Sequence, residues 1–261
     1  MTDHHPALPT RGHVIPPADT GRPSAALIGD HENPVPPRAL QAVLWDMDGT
    51  LVDTEPYWIE AEYALVAEFG GTWTEEDSRR LIGNALMTSA EYIRDRGGVD
   101  LPLVDIVHRL QAHVIDRVNR AANWQPGARE LLAELRAAGV PQALVTMSWT
   151  PLAQAVLRHL PEETFDIVVT GDHVTHGKPH PEPYTTAAEL LGVEAAACVA
   201  VEDSPTGVAS AEAAGAVTFA VPHLVPIPEA PGRTVVESLT DLTVGILVQA
   251  VEDRSISVSE P

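Results

Sequence analysis

The sequence predicts an α/β protein built on a doubly wound parallel sheet, with a block of helices inserted after the first strand. Three observations carry that expectation. From about residue 126 onward, short apolar runs alternate with amphipathic segments, the pattern of strand–helix units in a parallel sheet. A separate apolar run, Ala42-Val43-Leu44-Trp45, lies far upstream and reads as a strand buried on both faces. Between the two, from roughly Glu55 to Trp124, apolar residues recur only at helical spacing.

Taken in order, residues 1–38 hold eight of the 23 prolines and show no apolar periodicity, so they are expected to be a disordered N-terminal extension that activity does not need. The strand at Ala42–Trp45 runs into Asp46-Met47-Asp48-Gly49-Thr50, where Gly49 lets the chain turn away. A first helix carries Trp58, Ala61, Leu65, Val66 and Phe69 and ends at Gly70-Gly71. A second runs through Leu81, Ile82 and Leu86, a third through Tyr92 and Ile93 to Gly97-Gly98, and a fourth from Leu103 to Val118. Pro126-Gly127 opens a helix with Leu131, Leu132 and Leu135, closed by Gly139. Ala143–Val145 is a strand, Pro151–Leu160 a helix, and Asp166–Val169 the next strand. A helix over Glu182–Leu191 precedes the strand Cys198–Val201, which reaches Glu202-Asp203. Pro205–Ala214 is helical, Val217–Val221 is the last core strand, and Leu239–Val251 the closing helix. The expected division is an N-terminal extension (1–38), a core (39–54 and 125–251), a helical cap (55–124) and a loose C-terminal tail (252–261).

Composition narrows the function. The chain has 261 residues, 37 acids against 16 Lys and Arg, and a formal charge of −21. That surface repels phosphate backbones and anionic membranes, which argues against nucleic-acid or lipid binding. It also means that an anionic substrate needs local cations. Cys198 is the sole cysteine, so no intrachain disulfide forms and a reducing cytoplasm is expected. No apolar run is long enough to span a bilayer, and the N-terminus lacks a signal-peptide pattern.

The chemistry gathers at strand ends, where ligands bind in open α/β sheets. Asp46 and Asp48 leave the first strand on the same side, because side chains alternate along an extended backbone. Two such carboxylates need a cation, a shared proton or a catalytic task. A surface turn and chance are the plain alternatives; an EF-hand loop is excluded because Leu51 and Tyr57 stand where it requires Gly and Glu. The second strand end offers Thr146, the loop after the third offers Lys178, and the fourth offers Glu202 and Asp203. Alone, each has an ordinary structural explanation: a strand-end cap, a solvated loop charge, a helix N-cap. Together at successive strand ends they make a site with hard oxygen ligands suited to Mg²⁺ and a lysine suited to a phosphoryl oxygen.

These motifs resemble those of the haloacid dehalogenase superfamily, in the subclass whose helical cap follows the first strand. The resemblance rests on Asp46-Met47-Asp48-Gly49-Thr50, Thr146, Lys178-Pro179-His180-Pro181, and Glu202-Asp203-Ser204 followed by Gly207 and Ala213-Ala214-Gly215. It covers roughly residues 40–250 and implies a Rossmann-like core. Within the family the chain is similar to small sugar-phosphate phosphatases and β-phosphoglucomutases, which share the Asp53-Thr54-Glu55 continuation. The resemblance implies that Asp46 attacks phosphorus and Asp48 serves as general acid, then base. It also implies that Thr146, Lys178, Met47 and Gly49 contact the phosphate. Mg²⁺ would be held by Asp46, the Asp48 backbone carbonyl and Asp203, with Glu202 nearby. The expected substrate is a small phosphorylated metabolite, and the expected state a monomer.

A phosphatase is favoured over a mutase. The related mutases carry a histidine five residues after the acid corresponding to Asp53, where this chain has Trp58, and an arginine three residues beyond a cap glycine, where counting from Gly83 gives Leu86. A non-catalytic regulator that binds a phosphorylated metabolite is the alternative from another class, but such proteins usually lose a catalytic acid and none is missing. His173, His176 and His180 have zinc-like spacing, which their place beside Lys178 already explains. Tyr57, Trp58, Tyr92, Trp124 and Trp149 are candidates either for pocket lining or for packing, with Trp124 assigned to packing.

Overall fold

A computed structural model describes residues 40–259; the extension expected over residues 1–38 lies outside them. The strands are β1 (Ala42–Trp45), β2 (Gln142–Val145), β3 (Ile167–Val169), β4 (Cys198–Glu202), β5 (Val217–Ala220) and β6 (Arg233–Val235). They form one sheet in the order β3-β2-β1-β4-β5-β6, and every pairing is parallel. The direction of winding reverses at β1, so the connections leaving β1 and β4 diverge and open a crevice beyond their carboxyl ends.

Burial of β1 on both faces follows from its side chains. Val43 and Trp45 join one apolar cluster, while Ala42 and Leu44 join another on the opposite face, the two-residue alternation of a strand. The first cluster receives Leu131, Leu132 and Leu135 of α5 (Ala128–Ala137), Leu152 and Val156 of α6 (Thr150–Leu157), and Leu247 and Val251 of α9 (Val244–Ser259). The second receives Tyr184 and Ala187 of α7 (Glu182–Leu191) and Ala211 of α8 (Pro205–Ala213). A polar residue inside this core is fully paired. The buried Gln142 accepts from Trp45 Nε1 at 3.0 Å and donates to the carbonyls of Leu132 and Thr164 at 3.1 and 3.3 Å, as a buried amide must.

Four helices lie between β1 and α5: α1 (Glu55–Glu68), α2 (Glu75–Arg79), α3 (Leu86–Gly97) and α4 (Leu103–Arg120). The apolar stripe of α4, from Ile106 to Val118, is buried; it packs against α1, α3 and α6. The helix expected through Leu81, Ile82 and Leu86 is corrected by the structure. Thr74 and Asp77 form a reciprocal capping box that starts α2 earlier. Gly83 then takes a φ of 75°, a left-handed conformation that breaks helical continuity. Leu81 and Ile82 therefore lie in a turn, and Leu86 begins α3.

Two further expectations are corrected. Val217–Val221 is not the last strand: β6 adds to the sheet edge, although Arg-Thr-Val has no apolar alternation to reveal it. Arg233 anchors that edge through two bonds of 2.7 Å to the Glu212 carboxylate of α8. The C-terminal segment 252–261 is not wholly a loose tail, since α9 continues to Ser259, and Leu239–Asp241 forms a separate 3-10 turn before it. No described helix is long and apolar enough to cross a membrane.

Candidate active site

At the end of β1 the chain passes from buried strand into a tight turn. Leu51 N and Val52 N both bond to Met47 O, and Gly49 N bonds to Val52 O at 2.8 Å. The turn needs Gly49 at φ 86°. A β-carbon there would also lie 2.0 Å from Asp203 Oδ2, so the glycine makes room for a carboxylate. Asp46 and Asp48 thus project into one cavity roofed by α1, α3 and the α2–α3 turn, shared with Lys178, Asp203, Ser148 and Trp58.

The two acids have different surroundings. Asp46 is buried, with Oδ1 taking a 2.7 Å bond from Lys178 Nζ and Oδ2 buried without a partner among the described residues. Burial and the charge of Glu202 push the Asp46 carboxyl up to about 7, while Lys178 pulls the other way. Asp48 is held by four donors. Thr54 and Trp58 Nε1 reach Oδ1 at 2.6 and 3.3 Å, and Thr146 and Ser148 reach Oδ2 at 3.2 and 2.7 Å.

Lys178, the only lysine in the chain, is buried and fully coordinated. Its ammonium donates to Asp46 Oδ1, to the Val145 carbonyl at 2.9 Å and to Glu202 Oε1 at 2.6 Å. Burial works against its charge, but the two carboxylates outweigh that and hold the ammonium well above the usual lysine range. Glu202, at 0% exposure, also takes the Tyr184 hydroxyl at 2.7 Å and the Ser204 hydroxyl at 3.2 Å. A β-carbon on Gly207 would lie about 2 Å from that carboxylate, so α8 can start there only with glycine.

Whether Mg²⁺ suits these residues is tested by their unmet charge. Asp46, Glu202 and Asp203 lie with ligand oxygens within 4.8 Å of one another, all buried. Burial, then the charges of Asp46 and Glu202, push the Asp203 carboxyl well up. The unpartnered Asp46 Oδ2 beside Asp203 is the set of hard, crowded oxygens that a divalent cation relieves. The group fits. Glu202 contributes least to it, because both its oxygens already have protein donors.

Of the residues singled out in the sequence, Asp46, Asp48, Lys178 and Asp203 line the cavity. Thr146 does not open onto it; at 0% exposure its hydroxyl donates to Asp48 and accepts from Ser148 N at 3.0 Å. The hydroxyl that lines the cavity at this strand end is that of Ser148, which sequence reading passed over although it stands two residues beyond Thr146. Tyr184 and Glu62 were also missed, and Glu55 entered only as part of the Asp53-Thr54-Glu55 continuation. Their signal was faint, since each sits at a core-facing helical position. Of the five candidate aromatics only Trp58 lines the cavity. Tyr92 bonds Asp77 at 2.9 Å and packs edge-on to Trp73, Trp149 packs on His108, and Trp124 lies under Arg129. His176 and His180 stack at 4.6 Å beside Glu182 on an exposed loop, whereas His173 turns to Thr150 instead.

A parallel sheet with paired acids and a buried lysine at its switch point, under a helical insert, defines a class of capped hydrolases. The chain belongs to the haloacid dehalogenase-like hydrolases, whose family model matches residues 43–221. It is a phosphoric monoester hydrolase, as its named relatives are. It is 34% identical over 188 residues to a phosphorylated carbohydrates phosphatase of Thermotoga maritima, covering 67% of this chain and 82% of that protein. It is 35% identical over 178 residues to hexitol phosphatase A of Escherichia coli, covering 68% and 81%. Among solved structures, a mutant of CbbY from Rhodobacter sphaeroides in complex with xylulose-(1,5)bisphosphate superposes with a TM-score of 0.72 at 28% identity, covering 78% of this chain and 96% of that one.

Proposed function

We propose that this protein is a Mg²⁺-dependent phosphatase of a small sugar phosphate or similar metabolite, acting through an aspartyl-phosphate intermediate. The observation that carries the reading is the convergence of Asp46, Asp48 and Lys178 on one cavity. In the first step an Asp46 oxygen bonds to phosphorus as the ester oxygen leaves, and Asp48 gives that oxygen a proton. In the second, water attacks the phosphorus, Asp48 takes its proton, and phosphate departs from Asp46. Lys178 holds a phosphoryl oxygen as charge shifts toward it, and Ser148 is placed to donate beside it. Asp46, Asp203 and the Asp48 carbonyl would hold Mg²⁺, which neutralises phosphoryl charge when bound. Glu202 and Tyr184 position the lysine rather than touch substrate.

Water, rather than rephosphorylation of a sugar, is the favoured acceptor because Trp58 is the side chain of α1 that reaches Asp48. An indole N–H donates and cannot shuttle a proton. The relatives named as phosphatases of phosphorylated carbohydrates and hexitols support the same substrate class. The test is phosphate release from p-nitrophenyl phosphate and a panel of metabolite phosphates, with wild type beside Asp46→Asn. Release abolished by EDTA and by the substitution is expected. Efficient interconversion of a sugar 1-phosphate and 6-phosphate would overturn the reading.

A further inference from the structure

The loop between β3 and α7 carries two kinds of chemistry on opposite sides. Lys178 turns inward and is fully used by Asp46, the Val145 carbonyl and Glu202. His176 and His180 stand two residues to either side of it and face solvent, with side chains 62% and 50% exposed. Their rings stack at 4.6 Å, with planes 33° apart. Glu182, in the first turn of α7, completes the group: one ligand atom from each of the three lies within 4.8 Å of the others. The histidine spacing in the sequence included His173, but that ring turns to Thr150. The third partner is a carboxylate two residues past His180, which counting histidines does not reveal.

The carboxylate is aimed by the backbone. Glu182 Oε1 takes the Thr175 N–H at 2.6 Å and Oε2 takes the His176 N–H at 2.9 Å. His176 Nδ1 lies 2.8 Å and His180 Nδ1 4.0 Å from the same Oε2, and Glu182 N donates to His180 Nδ1 at 3.2 Å. The Ser210 hydroxyl of α8 donates to the His180 carbonyl at 2.6 Å, which fixes the backbone of the second histidine. Among the described residues, the ion-pair partners of Glu182 are these two histidines, with no lysine or arginine to compete for it.

From this arrangement we infer that His176, His180 and Glu182 form a second metal site, separate from the catalytic acids, which takes Zn²⁺ or a similar borderline divalent ion and clasps the Lys178 loop. Two imidazoles and one carboxylate, with water in the remaining position, are a donor set for Zn²⁺. Mg²⁺ prefers oxygen ligands alone, the kind that Asp46 and Asp203 offer, so the two sites select different ions and can be filled together. An ion held from both sides of Lys178 ties the loop across the lysine without touching it. The net charge of −21 favours cation binding on the surface generally, but the imidazole pair gives this place its preference.

The test titrates the full chain, saturated with Mg²⁺, with Co²⁺ as a spectroscopic stand-in for Zn²⁺. Co²⁺ bound tetrahedrally through imidazole absorbs strongly in the visible, whereas octahedral Co²⁺ among oxygens absorbs weakly, so the band reports this site and not the catalytic acids. A strong band that saturates at one equivalent and is displaced by Zn²⁺ is expected. His176→Asn and His180→Asn should each weaken binding at least about 10-fold, because losing a direct ligand costs no less than losing an outer partner. Both side chains are exposed, so the variants should keep the wild-type circular dichroism and the wild-type rate of phosphate release with Mg²⁺ alone. Zn²⁺ should raise the Tm of the Mg²⁺-loaded wild type and leave that of the variants unmoved. A double variant, His4→Asn with His5→Asn, should bind as wild type does. A weak band only, a strong band unmoved in both folded variants, or one lost with His4 and His5 would overturn the inference. Each of those results leaves the phosphatase reading untouched, since none of them measures turnover.

Discussion

At the scale of single residues, the site is a chain of buried charges that stabilise one another only while complete. Lys178 sits between Asp46 and Glu202 at 2.7 and 2.6 Å. Lys178→Met should reduce kcat about 10³-fold, and by leaving two buried carboxylates uncompensated it should destabilise the fold by about 3–5 kcal/mol. Chemical denaturation and turnover measured on the same preparation check both. Gly49 is constrained twice, by its φ of 86° and by Asp203 Oδ2 lying 2.0 Å from the place of a β-carbon. Gly49→Ala should therefore displace Asp203, and the concentration of Mg²⁺ needed for half-maximal activity should rise at least about 10-fold. An unchanged Mg²⁺ titration would show that Asp203 does not depend on this turn.

Between elements, the contact that counts is the α2–α3 turn against the start of α8. A β-carbon on Gly83 would lie 2.7 Å from Ser204 Oγ and 2.9 Å from its Cβ, so the cap rests directly on the core at this point. Ser204 is itself the N-cap of α8, accepting from Gly207 N at 3.0 Å. Gly83→Ala should push the turn off the core and loosen the cavity roof that Leu81, Ile82 and Asn84 form. The expected result is a KM raised several-fold with thermal stability lowered by about 1 kcal/mol. A loss of stability without any change in KM would mean that the contact is packing alone.

For the whole molecule, the buried acids give stability a direction with pH. Glu55 and Glu62 ordinarily titrate near 4.5 and are raised to about 8 and about 7, chiefly by burial. The folded chain then holds protons that the unfolded chain has released, so stability falls as pH rises from about 4.5 toward 8. The metal-free protein should show a Tm that declines across this window, and Glu55→Gln should flatten the decline. Added Mg²⁺ should raise Tm most at the alkaline end, where the carboxylates are ionised. A metal-free Tm that climbs between pH 5 and 8 would contradict the burial of these groups.

Much of this was legible in the sequence, and the reason is local. Binary patterning sets where strands and helices fall: the apolar run before Asp46 marks β1, and Gly192 marks the end of α7. The four strand-end motifs could be assembled from order alone, because a parallel sheet sends successive carboxyl ends to one edge. What escaped had weak local signals. β6 is three half-exposed residues that pair only because β5 offers an open edge. Leu81 and Ile82 are apolar at helical spacing, yet Gly83 turns them into a cavity roof. Tertiary structure alone decided that Thr146 supports Asp48 while Ser148 faces the cavity, and that Glu202 holds Lys178. It alone placed Glu55 and Glu62 under the cap. The first two outcomes depend on side chains that meet across sequence separations of 24 to 100 residues, and no local pattern encodes such meetings.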